Sequence, residues 1–258
     1  MKPLAIGLVL NPLAGIGGPT ALKGSDNVAE EAFARGALSQ VENRVRIVLE
    51  ALFPYRQEIA ICTVSGVMGE NLCRELGWEV ETVDVLVPEK TNAAITKESV
   101  QKLQNTGIDL LVFAGGDGTA RDVFDSLRGD QVILGIPCGV KMHSGVFANN
   151  PDSAAKIIEF MVKGELIGLM RGEIRDIDET AFRQGIVRSQ YYGECWVPEV
   201  FHRMQASKAG GQIDELVVED IAAGIIEHME DDQYYVIGSG STVAAVMKQL
   251  GLKNTLLG

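Results

Sequence analysis

Apolar and polar positions in the first 164 residues alternate between strand-like and helix-like periods. Pro3–Leu10 ("PLAIGLVL") is an almost unbroken apolar run of strand length, the pattern of a strand buried on both faces. Within residues 27–52, Val41, Val45, Val48, Leu49 and Leu52 recur at helical spacing and predict one apolar helix face. "EIAICTV" predicts a second strand, with a short helix around Glu70–Leu76 after it. "VETVDVLVP" alternates until Pro88 closes it, and Thr91–Gln104 predicts a helix capped by Thr91 or Asn92. "IDLLVFAG" has the apolar continuity of a central parallel strand. A helix over 119–128, the strand "VILGIP" and a helix over about Asp152–Lys163 complete the series, with Pro151 and Asp152 suited to the last helix's first turn.

Strands that alternate with helices imply right-handed crossovers and a doubly wound sheet. The pattern changes near Glu165. "LMRGEIRDID", "FRQGIVRSQYYGECWVP" and "ELVVEDI" predict hairpin strands between about 165 and 233, and "YYVIGSGSTVAAVMKQLGL" predicts strand, glycine turn and helix. The expected fold class is therefore α/β, with a doubly wound, mostly parallel sheet in residues 1–164 and a second, β-rich domain in 165–258. The closing "NTLLG" resembles the start of a strand, so a C-terminally incomplete chain is expected.

Composition narrows the function classes. With 23 basic and 35 acidic residues the net charge is −12, which disfavours a nucleic-acid groove and, less strongly, an anionic membrane surface. Four cysteines without CxxC spacing and three histidines offer little for zinc and predict reduced thiols in a cytoplasmic protein. Asn11 and Pro12 end the N-terminal apolar run too early for a signal peptide, and no run approaches membrane-spanning length.

The chemistry is expected in three glycine-bearing loops at strand ends: "NPLAGIGGP" (Asn11–Pro19), "AGGDGTARD" (Ala114–Asp122) and "GSGST" (Gly238–Thr242). Backbone N–H groups at such junctions favour an anion, and glycines clear the approach. Gly15, Gly17, Gly115, Gly116, Gly118, Gly238, Ser239, Gly240, Ser241 and Thr242 are candidate phosphate or nucleotide contacts. Each loop also reads as a plain turn. Neither a Walker loop nor a GxGxxG fingerprint after the first strand is present. Asp117 sits among the glycines, where a carboxylate opposes simple anion binding but suits proton transfer or a metal held between phosphates. A turn residue or helix cap is the bland alternative. Thr119 is a candidate donor at the helix start. Asn11 suits a phosphate contact or its own loop, and Lys141 either neutralises phosphate charge or is a solvated lysine. His143 shares the turn of Lys141, while His202 and His228 read as surface or packing residues.

"NPLAGIGG", "AGGDGTARDV", "GIPCGVKMHSGVFA" and the late "GSGST" together resemble the ATP-NAD kinase-like proteins. These are a bacterial and archaeal branch, including the acetoin-catabolism X proteins, of the superfamily that joins NAD kinases to diacylglycerol and sphingosine kinases. The resemblance covers essentially the whole chain. It implies a kinase that moves a phosphoryl group from ATP or polyphosphate to the 2′-hydroxyl of NAD, giving NADP. It further implies Asp117 as the base, Mg²⁺ or another divalent cation with Asp117 as a candidate ligand, and a homo-oligomer. NAD kinases proper carry an Asn-Glu pair that grips the acceptor. Here only Asn149, Asn150 and "VPE" at Val197–Glu199 stand near that role. A nucleotide-binding regulatory protein without turnover is thus the alternative, with a lipid kinase behind it.

Overall fold

The computed structural model describes residues 2–15, 39–88, 91–139, 142–165, 167–177, 189–205, 215–230, 232–238 and 240–253. The chain divides into two compact units: Met1–Ile177 with Ser189–Lys208, and Asp178–Arg188 with Ala209–Gly258.

The first unit is built on β1 (Leu4–Leu10), α1 (Val41–Leu52), β2 (Ile59–Val64), α2 (Glu70–Glu75), β3 (Val80–Val83), α3 (Ala93–Asn105), β4 (Leu110–Gly115), α4 (Asp117–Ser126), β5 (Val132–Pro137), α5 (Pro151–Val162), β6 (Gly168–Ile177) and β7 (Ser189–Glu199). Its seven strands are ordered β3-β2-β1-β4-β5-β7-β6. All neighbouring pairs are parallel except the antiparallel β6–β7 hairpin. The α/β, doubly wound and mostly parallel fold predicted from the apolar runs is the one observed.

Two apolar layers cover the sheet. On one face Val41, Val45, Val48, Leu49 and Leu52 of α1 pack with Ala154, Ile157 and Ile158 of α5 against Ile6, Leu8, Val112 and Ile136. On the other, Val100 and Leu103 of α3 and Ala120 and Val123 of α4 pack against Val9, Leu111, Phe113 and Ile133. Full burial of each such aliphatic side chain contributes about 1.5–3 kcal/mol relative to exposure. Strand β4 is buried at all six positions because both faces are covered, and this is why its sequence does not alternate. Of the two caps expected for α3, Asn92 is the one used, and α5 begins at Pro151 behind a cap the sequence reading did not name. Asn92 accepts the Ile95 N–H at 3.2 Å and Asn150 accepts the Ser153 N–H at 2.8 Å.

Chain order reverses between β1 and β4, which are adjacent in the sheet although β2 and β3 follow β1 in sequence. At such a switch point the loops leaving two neighbouring strands diverge to opposite faces, and a crevice opens beyond their carboxyl ends. The loops after β1 and β4 are the first two glycine loops.

Past residue 165 the hairpin expectation holds for β6 and β7, which extend the sheet of the first unit. "ELVVEDI" is different. It belongs to α6 (Glu215–Glu227) in the second unit, not to a hairpin. Val218, Ile221, Ala222 and Ile225 recur at helical spacing, and the run IAAGIIE that follows extends the pattern over full turns. Residues 234–237, expected as a strand, form no strand, whereas the expected helix is present as α7 (Ser241–Gln249). Helices α6 and α7 are joined by Gln249, whose Nε2 donates to the Glu219 carbonyl at 3.0 Å, and Ala222 and Val246 are buried. "NTLLG" and residues 27–38 lie outside the described residues.

Candidate functional site

Asp117 is the first residue of α4, and its carboxylate does not cap that helix. The N-cap is Gly116, which makes no side-chain cap bond. The carboxylate instead reaches a segment 26 residues further on. Oδ2 accepts the His143 backbone N–H at 2.7 Å and Oδ1 accepts that of Ser144 at 3.0 Å. Both donors are backbone amides, and the carboxylate stands at the N-terminal end of α4.

The 142–148 segment that supplies these amides is fixed from both sides. Ser144 Oγ donates to the Arg175 carbonyl at 2.8 Å and accepts the Arg175 N–H at 3.0 Å, while Gly145 N–H donates to the Glu173 carbonyl at 2.8 Å. From β5, Gly135 exchanges bonds with the next residues: its N–H donates to Val146 and its carbonyl accepts from Ala148. A Cβ on Gly135 would lie 2.3 Å from the Phe147 ring, so glycine is what lets that ring lie on the strand.

The β1 loop joins the same region. Asn11 N–H donates to the Ala114 carbonyl at the end of β4, and Asn11 Nδ2 donates to Thr119 Oγ1 at 2.9 Å. Its Oδ1 accepts the Leu13 N–H at 3.1 Å, so Asn11 both shapes its own loop and ties it to α4. Gly15 has φ +72°, and a Cβ there would stand 1.9 Å from the Cys138 carbonyl oxygen. Gly115 is equally confined, since its Cβ would fall 2.4 Å from the Thr119 side chain. Gly118 is different, with no atom of the described residues within 4 Å of where a Cβ would project. Gly116 faces Gly139 across the gap, with 3.7 Å between its Cβ position and the Gly139 Cα.

Asn11, Gly15, Gly115, Gly116, Asp117, Gly118, Thr119 and the backbone of His143 are thus brought to one place, at the carboxyl ends of β1, β4 and β5. Gly17 and Lys141 lie outside the described residues, as does Ser239. Gly238, Gly240, Ser241 and Thr242 belong to the second unit, where Gly240 (φ +136°) leads into α7. The residues nearest to an acceptor-gripping Asn-Glu pair have structural work. Asn149 Nδ2 donates to the His202 carbonyl at 2.7 Å, and Asn150 caps α5. Glu199 faces Gly168 in the β6–β7 ladder.

Three contributors were not read from the sequence. Ser144 and Gly135 set the segment that meets Asp117, and the only sequence signal for them was the string "GIPCGVKMHSGVFA" as a whole. Arg44, on the first turn of α1, donates from Nη1 to the Pro137 carbonyl at 2.8 Å. Its charge lies close enough to Cys138 to oppose the burial that pushes that thiol up to about 12.

Among the described residues no group of three or more His, Cys, Asp or Glu forms a metal cage. Mg²⁺ needs none where phosphates provide most of its oxygens, and one carboxylate such as Asp117 fits that arrangement. Also among the described residues, no helix is long and apolar enough to cross a membrane.

The family model of the ATP-NAD kinase N-terminal domain matches residues 6–166, the span that carries the β1, β4 and β5 loops. No curated protein matches the chain.

Proposed function

The chain belongs to the ATP-NAD kinase family, and from that membership we propose that it transfers a phosphoryl group from ATP or polyphosphate to the 2′-hydroxyl of NAD. The observation that carries this reading is Asp117: a carboxylate held by the amides of His143 and Ser144, amid glycine loops at the sheet's switch point. The amides orient both carboxylate oxygens, and a carboxylate oxygen carries more than one lone pair with which to accept a hydrogen bond or a proton.

In the proposed reaction the acceptor hydroxyl gives its proton to Asp117 as its oxygen bonds to phosphorus. The bond from phosphorus to the leaving phosphate oxygen breaks, and the electron pair departs with ADP or the shortened polyphosphate. Gly118, with no atom of the described residues within 4 Å of its Cβ position, leaves room for the donor beside the carboxylate, and the Thr119 hydroxyl is a donor for a phosphate oxygen. Mg²⁺, held by Asp117 and the donor's own oxygens, would neutralise charge that develops on the phosphates. The protein's part is to orient Asp117, admit the phosphates and hold the loops in register.

The test compares NADP formation from NAD, with Mg²⁺ and either ATP or polyphosphate, between wild type and Asp117→Asn. Wild-type turnover that falls about 10²–10⁴-fold in the variant is the expected result. Equal turnover in both proteins would remove Asp117 from the chemistry.

A second reading has its own support. Asn149 and Asn150 are occupied by the His202 carbonyl and the α5 cap, so they do not serve an acceptor. A nucleotide-binding regulatory protein would need the donor site alone. Nucleotide binding without product from either donor would favour it.

A further inference from the structure

We propose that Arg44 binds the phosphate oxygens of the phosphoryl donor. The assignment rests on the kinase reading above.

In a chain of 35 acidic and 23 basic residues, carboxylates are abundant partners. Arg46, Arg74, Lys97, Lys102, Arg121, Lys156, Lys163 and Arg175 each hold one. Among the described arginines Arg44, Arg56, Arg128, Arg171 and Arg203 hold none, and of these it is Arg44 that reaches the end of β5. Its guanidinium is part-buried, and its one bond goes to a neutral backbone carbonyl, that of Pro137. That bond uses one of five N–H donors and neutralises no charge.

Position supplies the second part. Pro137 is in register with Gly115, and Cys138 N–H donates to the Gly115 carbonyl at 2.9 Å. Gly15 approaches the Cys138 carbonyl so closely that no side chain fits between them. The guanidinium therefore sits at the strand end where the first glycine loop, the GGDGT loop and the β5 loop come together. A planar fork of donors matches a phosphate's oxygens two at a time, and a weakly hydrated guanidinium loses little on leaving water. Isolated burial of that charge is unfavourable, and an anionic ligand relieves it.

Inorganic tripolyphosphate is the probe, titrated by calorimetry into wild type, Arg44→Gln and Arg44→Lys at several salt concentrations. Glutamine retains an N–H donor for the Pro137 carbonyl, so a purely structural Arg44 leaves affinity and salt dependence unmoved. The expected result is affinity about 10–100-fold weaker in Arg44→Gln, as for loss of charge-assisted hydrogen bonds. Its salt dependence should be shallower, and Arg44→Lys should retain part of the affinity. Equal affinity and equal salt dependence in wild type and Arg44→Gln would overturn the assignment and leave the kinase reading standing. A wild type that binds no tripolyphosphate yet forms NADP from ATP would overturn it too. Neither binding nor turnover in wild type would remove both. If Arg44→Gln does not fold, Arg44→Lys decides: undiminished salt dependence with reduced affinity supports the assignment, and lost salt dependence despite the retained charge overturns it.

Discussion

At Asp117 a single side chain joins two segments of the chain. Its bonds to His143 and Ser144 span the site and do not cap α4, so the helix-cap alternative fails on geometry. Asparagine would keep one acceptor but set an NH₂ against the other N–H, so Asp117→Asn should lower thermal stability modestly as well as turnover; melting curves beside the assay separate the two. Gly15 is legible as a glycine and illegible as a contact. Only the fold shows the Cys138 carbonyl 1.9 Å from where a Cβ would stand, at φ +72°. Gly15→Ala should therefore cost about 1–3 kcal/mol in chemical denaturation, through positive φ and displaced loops, and should weaken tripolyphosphate binding as well. For the thiols burial is the largest cause. Cys73, Cys138 and Cys195 are pushed up to about 12 and Cys62 is raised, because a thiolate is poorly solvated there. Native protein should resist alkylation at pH 8, and full labelling should appear only in denaturant.

Elements were easier to read than their partners. Helices α3 and α5 lie within a residue or two of their predicted ranges because Asn92 announces one start, Pro151 and Asp152 the other, and apolar spacing their faces. Asn150→Ala should remove the α5 cap at about 1 kcal/mol, measured by denaturation, with tripolyphosphate affinity unchanged. "ELVVEDI" misled because a short run of Glu, Leu, Val and Ile satisfies both periods. The residues that decided for helix follow it. The strand expected at 234–237 had high β propensity, yet a strand exists only where another backbone completes its ladder. Gly135 on β5 shows the opposite case, a glycine in a good strand that marks close packing. Gly135→Val should overpack Phe147 and Phe113 at about 1–3 kcal/mol and, by shifting the 142–148 segment, reduce turnover in the same preparation.

For the molecule as a whole, charge sets the response to acid. Glu159 on α5 is hydrogen-bonded by Lys156, Lys163 and Tyr55, which hold its carboxyl down to about 2. A depressed carboxyl stabilises the fold above its unfolded value near 4.5, and that contribution disappears as pH falls toward 2. The lysines are more than a third exposed, so solvent screening keeps the effect small. Glu159→Gln should melt slightly below wild type at pH 7, and the two curves should converge near pH 2. The sequence by itself determined the α/β class, the parallel sheet and the loops at its strand ends, because burial on two faces, helical spacing and glycine placement are written residue by residue. It also placed Asp117 among those loops. Tertiary structure alone decided what the carboxylate faces, that Ser144 and Gly135 hold its partner segment, and that Arg44 reaches the same strand end. Those relations join residues 11 to 93 positions apart, and only strand order and helix packing bring them together.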